Sequence, residues 1–218
     1  MHLPTPIVCV ITRARGVPGS PERAALVSRM AAAAAAGASM IQVRERQLDD
    51  RAYVDFTSEL IDATSGTPCI VTVNDRPDIA VAAGAAGVHL KSDGVSAADV
   101  RSIAPANFLV GRSVHSLPEA VAAEREGGYD YLVFGTVFPT ASKPADHVIA
   151  GIEALQAVCA GVSLPVLAIG GVTPGRGPQA ARVGAAGVAA ISLFAEARNI
   201  AEAVSSLRDA LTAQSGRV

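Results

Sequence analysis

Tryptophan is missing from this chain of 218 residues, and aromatic residues make up only 4% of it. A core must therefore be assembled mainly from Ala, Val, Ile and Leu. The 50% hydrophobic content supplies enough of them, with 17% charged residues, for one domain of ordinary soluble type, taken as residues 1–218. Lysine is scarce too, with Lys91 and Lys143 the only two, and arginine carries the rest of the positive charge. There is no basic excess: the net charge is −2 and the pI is near 6.1, which excludes a field for nucleic acid or an anionic membrane. Cysteine is limited to Cys9, Cys69 and Cys159, widely spaced in apolar runs. That pattern fits buried reduced thiols in a cytoplasmic protein, not a disulfide framework or a zinc site. No apolar run reaches the roughly 18 residues of a membrane span, and the opening MHLPTPIVCVIT has no basic region of the kind a signal peptide needs.

What the chain does contain is a rhythm. Short β-branched runs bounded by Gly, Pro or polar residues occur at 6–12, 39–43, 69–73, 87–90, 108–112, 131–135, 165–171 and 187–192. Each reads as a buried parallel strand. Helical segments lie between and after them at 21–36, 49–64, 76–83, 96–103, 117–127, 151–160, 174–183 and 195–212, several with Pro, Ser or Asp near the start. AGASMIQV, GAAGVHL, GGYDYLVFG and GAAGVAAIS repeat one transition, from a helix end through glycine and a small residue into a strand. The alternation predicts an α/β fold, a single (β/α)8 TIM barrel. An open doubly wound sheet would alternate similarly, but no G-x-G-x-x-G follows the first strand.

In such a barrel the chemistry sits at the C-terminal ends of the strands. Arg44 and Arg46 alternate with Val43 and Glu45, so they share a face, and paired guanidinium groups suit phosphate or diphosphate. The alternative for this pair is two surface salt bridges. Gly170 and Gly171 after the seventh strand, with Ile191 and Ser192 after the eighth, stand where barrels often bind phosphate through backbone N–H groups. The segment GTVFPTASKPADHVIAG is long for a connector and carries Thr140, Ser142 and Lys143, a set suited to a charged substrate. Of four histidines, His2 and His147 carry no signal and His89 reads as a barrel-interior residue, whereas GRSVHS sets His115 beside Arg112 and Ser113 at a strand end. Imidazole titrates near neutrality and could move a proton there.

Taken in order, QVRER, VND, GVHL, GRSVHS, FGTVFPTASKP, AIGG and the AIS segment resemble the thiamine phosphate synthase and TenI superfamily over nearly the whole chain. The resemblance implies the same barrel and one of two activities. A synthase joins hydroxymethylpyrimidine diphosphate to carboxythiazole phosphate, losing diphosphate and carbon dioxide, with Mg2+ held by two aspartates. A TenI-type tautomerase aromatises the thiazole by a proton shift and needs no metal. Gln42, Arg44, Asn74 and Asp75 match the synthase pattern, while Arg46 replaces a lysine. On that pattern the second metal aspartate falls on Gly94, and Asp93 stands one residue short, an offset that in an extended chain turns a side chain to the opposite face.

The expectation is therefore a metal-independent thiazole tautomerase with His115 as proton relay and a thiazole phosphate as its small-molecule substrate. Gly170, Gly171, Ile191 and Ser192 would hold the phosphate, and Gln42, Arg44, Arg46, Asn74, Ser113, Thr140, Ser142 and Lys143 would contact substrate. No cofactor is expected; if the chain is a synthase, Asp75 becomes a Mg2+ ligand. A regulator that binds thiamin intermediates without turnover is a third reading. Barrels of this size often pair through helices, so a homodimer is the assembly considered.

Overall fold

Residues 5–13, 17–140, 144 and 147–215 are described by the computed structural model. Its strands are β1 (Ile7–Ile11), β2 (Met40–Val43), β3 (Ile70–Asn74), β4 (Gly87–Leu90), β5 (Leu109–Val114), β6 (Tyr131–Gly135), β7 (Val166–Ile169) and β8 (Gly187–Ala190). They pair in parallel in chain order, and β8 returns to β1 with Ile7 opposite Gly187, which closes the barrel. The helices are α1 (Pro21–Ala35), α2 (Asp50–Thr64), α3 (Pro77–Ala82), α4 (Ala97–Ile103), α5 (Leu117–Glu126), α6 (Gly151–Gly161), α7 (Gly177–Arg182), α8 (Ser192–Ala195) and α9 (Ile200–Ser215). The fold is a single (β/α)8 TIM barrel.

The continuous apolar runs follow from this geometry, because each strand is covered on one face by the barrel interior and on the other by helices. Alternation sorts their side chains into two cores. Ile7, Cys9, Ile11, Met40, Tyr131, Val133, Leu167 and Ala189 form the interior cluster, while Val8, Val10, Leu132 and Phe134 belong to the larger layer beneath the helices. Tyr131 fits inside because Gly111 lies opposite it in the β5–β6 register, and a Cβ there would fall into the tyrosine ring. Four helices start where short polar side chains cap them: Ser20, Asp49, Ser96 and Ser116 accept from the N–H groups of Arg23, Ala52, Asp99 and Glu119.

One helix differs from expectation. The segment after β8 does not form one helix over 195–212; it forms α8, breaks, and restarts as α9. The restart has a local cause, since the Asn199 side chain accepts from the Glu202 N–H at 3.3 Å. The cysteines are free, and burial pushes the Cys69 and Cys159 thiols up to about 12 and about 11. No helix among the described residues is long and apolar enough to cross a membrane.

Candidate active site

Followed towards their C-terminal ends, the inward columns change character. β2 runs from Met40 to Gln42 and on to Arg44; β3 from Ile70 through Thr72 to Asn74; β4 from Gly87 to His89 and on to Lys91; β5 from Gly111 to Ser113 and on to His115. An apolar floor thus rises into a polar mouth, where a cavity of about 400 Å3 opens. Of the residues singled out in the sequence, Gln42, Arg44, Arg46, Asn74, Ser113, His115, Thr140, Gly170, Gly171, Ile191 and Ser192 all line this cavity. Ser142 and Lys143 lie outside the described residues.

On the β2 side, the Arg44 N–H donates to Thr12 Oγ1 at 2.8 Å, and the Thr12 hydroxyl donates to Glu45 Oε1 at 3.1 Å. Glu45 is buried, which leaves Arg44 and Arg46 together on the cavity face. Among the described residues neither arginine is ion-paired, so the salt-bridge alternative does not hold. Partial burial and the neighbouring Arg46 charge lower the Arg44 pKa, against the opposing pull of Tyr53 and Glu45. Gln42 Nε2 donates to Asn74 Oδ1 at 3.0 Å and ties β2 to β3 at the same level.

Across the barrel, Gly170 and Gly171 have φ of 97° and 62°, left-handed conformations that glycine adopts without cost. A Cβ on Gly171 would strike the carbonyl oxygens of Phe138 and Pro139. Arg176 Nη1 holds the two loops together by donating to Gly171 O at 2.9 Å and Pro139 O at 3.1 Å. α8 begins alongside at Ser192; the Phe194 and Ala195 N–H groups donate to Ile191 O at 3.2 and 2.9 Å, and Ile191, Ser192 and Leu193 line the cavity. In the closed order β2, which leads into Arg44 and Arg46, and β7, which leads into the glycines, are separated by β1 and β8, so the two anion-seeking regions are distinct groups lining one cavity.

His115 Nδ1 lies 2.8 Å from Gly135 O. A carbonyl only accepts, so Nδ1 carries the proton and Nε2 presents a lone pair. His89 is different: it is 4% exposed, burial pushes its pKa down to about 4 against the opposing pull of Asp75, and it is neutral at working pH. Its Nε2 is 2.9 Å from Ser113 Oγ, and its buried Nδ1 has no hydrogen-bond partner among the described residues. A buried unpaired N–H costs more than an unpaired lone pair, so we assign the proton to Nε2, donating to Ser113. The Ser113 hydroxyl is then free to donate into the cavity. His147, which carried no signal in the sequence, has Nε2 2.9 Å from the hydroxyl of Thr136, another lining residue.

The stretch after β4 bears on Asp93. This residue falls in step with His89 and Lys91 on the inward column of β4, and it lines the cavity although it stands one residue short of the family's position. The Gly94 N–H donates to Lys91 O at 3.1 Å, which turns the backbone there. Lys91 Nζ stands 2.9 Å from Asp75 Oδ2 and 3.8 Å from Asp93 Oδ1, so two carboxylates converge on one cation. Asp75 has φ of 58°, in a left-handed conformation that aspartate tolerates better than most residues. Gly94 makes room for it, because a Cβ there would stand 3.0 Å from Asp75 Oδ1. Arg112, the neighbour of Ser113 at the end of β5, holds this turn: its Nη2 donates to Ser92 O at 2.6 Å, and its Nη1 to the Tyr129 hydroxyl at 2.7 Å.

A family profile described as "Thiamine monophosphate synthase" matches residues 8–194. The chain belongs to the thiamine monophosphate synthase family. It is 39% identical to a thiamine-phosphate synthase of Methanoculleus marisnigri over 83% of this chain and 85% of that one. Identity to a thiamine-phosphate synthase of Chlorobium luteolum is 37%, covering 93% of this chain and 92% of the relative. Among solved structures, a thiamine phosphate pyrophosphorylase from Pyrococcus furiosus superposes with a TM-score of 0.81 at 32% identity, covering 95% and 96% of the two chains. These members of the family overturn the expectation of a thiazole tautomerase, an isomerase: the matched relatives are synthases. That expectation rested on the missing metal aspartate at position 94 together with His115 beside an anion site; Asp93, one residue short, lines the cavity all the same.

Proposed function

We propose that this chain is a thiamine phosphate synthase, joining hydroxymethylpyrimidine diphosphate to carboxythiazole phosphate with release of diphosphate and carbon dioxide. The observation that carries the reading is the pair of separate anion-seeking regions lining one cavity, Arg44 and Arg46 after β2, and Gly170, Gly171 and the start of α8 after β7 and β8. A ring isomerisation has one phosphate to hold; a coupling of two phosphorylated substrates has two. The family membership points the same way.

In this reading the diphosphate lies against Arg44 and Arg46, whose planar forks match its oxygens, and Ser113 adds a hydroxyl donor. These groups are in place before the carbon–oxygen bond breaks, and they meet the negative charge that grows on the leaving oxygen. The thiazole phosphate is held by the backbone of Gly170, Gly171, Ile191 and Ser192, which orients the ring nitrogen towards the carbon the diphosphate leaves. His115 presents Nε2 as an acceptor for an N–H of a substrate ring, while Gln42, Asn74 and Thr140 line the remaining wall. Ser142 and Lys143 stay with the substrate-binding set as a proposal from sequence.

The donor set also fits Mg2+. Asp75 and Asp93 both approach the Lys91 ammonium, and these two carboxylates would hold the ion together with the substrate's diphosphate. When bound, the ion neutralises charge on the departing diphosphate. The test is diphosphate release with both substrates and Mg2+ present. Release that requires both substrates and is abolished by Asp75→Ala supports the reading; no release, or release indifferent to the thiazole phosphate, refutes it.

A further inference from the structure

Lys91 stands where a divalent ion would be held. It continues the inward column of β4, its ammonium lies 2.9 Å from Asp75 and 3.8 Å from Asp93, and its own N–H reaches Asp75 Oδ1 at 3.4 Å. An ammonium so close to both carboxylates and a divalent ion between them repel each other strongly. The two cations therefore exclude one another from the carboxylate pair. The lysine stem is flexible and half exposed, and Lys91 lines the same cavity as Arg46, so its ammonium can leave the carboxylates for an anion held against that arginine.

We propose that Lys91 is an internal counter-ion: it occupies the carboxylate pair in the free enzyme, keeps that pair weak for divalent ions, and transfers to the substrate's diphosphate when the ion enters. The ion then arrives with the diphosphate and not ahead of it, because only the added negative charge draws Lys91 away. The proposal rests on the synthase reading for the identity of the diphosphate, but its first measurement does not. Mn2+ binding to the substrate-free protein is titrated by electron paramagnetic resonance in the unsubstituted chain, Lys91→Gln and Lys91→Arg. Removing the charge in Lys91→Gln tightens Mn2+ binding by about tenfold, since a unit charge opposes a divalent ion about twice as strongly as a monovalent one. Lys91→Arg, which keeps the charge, stays near the unsubstituted value, and Asp75→Asn in the Lys91→Gln background removes the gain.

At saturating Mn2+ the sign reverses for inorganic diphosphate, which Lys91→Gln binds about tenfold more weakly by calorimetry because a charge-assisted contact is gone. A merely structural lysine would not move the two affinities in opposite directions. Mn2+ affinity unchanged or weakened in Lys91→Gln overturns the proposal, and so does unchanged diphosphate affinity. Coupling by the unsubstituted chain, assayed alongside, decides the synthase reading separately: a chain that couples nothing can still show the displacement, and one that couples can lack it.

Discussion

Lowering the pH should unfold this barrel partly through one interior histidine. His89 is 4% exposed, stacks on Tyr131 with ring centroids 5.7 Å apart, and has a pKa pushed down from 6.5 to about 4 by loss of solvent. Above pH 6.5 the imidazole is neutral in both states, and it contributes no pH dependence there. Below that value the unfolded chain takes up a proton that the folded chain refuses until about pH 4, so stability falls with pH across this window. Each unit is worth about 1.36 kcal/mol, so the full window amounts to about 3 kcal/mol.

The assay is urea unfolding of the unsubstituted chain and His89→Gln at about pH 7.5 and about pH 4.5, where carboxylate titration is common to both proteins and cancels. His89→Gln starts less stable by about 1–3 kcal/mol for the contact with Ser113 it disturbs. The gap then closes by about 2–3 kcal/mol at the lower pH. A gap that stays constant within about 0.5 kcal/mol would refute the reasoning, because it would mean the imidazole is protonated or solvated in the folded barrel.

Gly171→Ala places a Cβ against the Phe138 and Pro139 carbonyls at a positive φ, so it should lower stability by at least about 2 kcal/mol in thermal melts and weaken inorganic phosphate binding by calorimetry. Arg112→Lys loses the two-armed hold on Ser92 and Tyr129; it should raise the KM of the diphosphate substrate about tenfold, because the turn carrying Lys91 and Asp93 loosens, while an unchanged KM would confine Arg112 to folding.

The barrel was legible because buried parallel strands read as unbroken β-branched runs, and because parity then sends Gln42, Arg44, Asn74, Ser113 and His115 to one mouth. The offset of Asp93 came from a family spacing; counted along β4 itself from His89 and Lys91, Asp93 falls on the cavity side, and neither count could show that Arg112 holds the turn that follows. The break between α8 and α9 had a sequence signal that went unused: Asn199 followed three residues later by Glu202 is the spacing of a helix start. His147 gave no such signal, since its role comes from a partner outside its own stretch, Thr136; the charge of Lys91 beside the aspartates was legible, its pairing with Asp75 was not.

The most direct measurement of the central claim is mass spectrometry of the chain incubated with hydroxymethylpyrimidine diphosphate, carboxythiazole phosphate and Mg2+. The account predicts one product containing both rings and a single phosphate, formed with an equal amount of diphosphate. Substrates recovered uncoupled, by a folded protein that binds both, would contradict it.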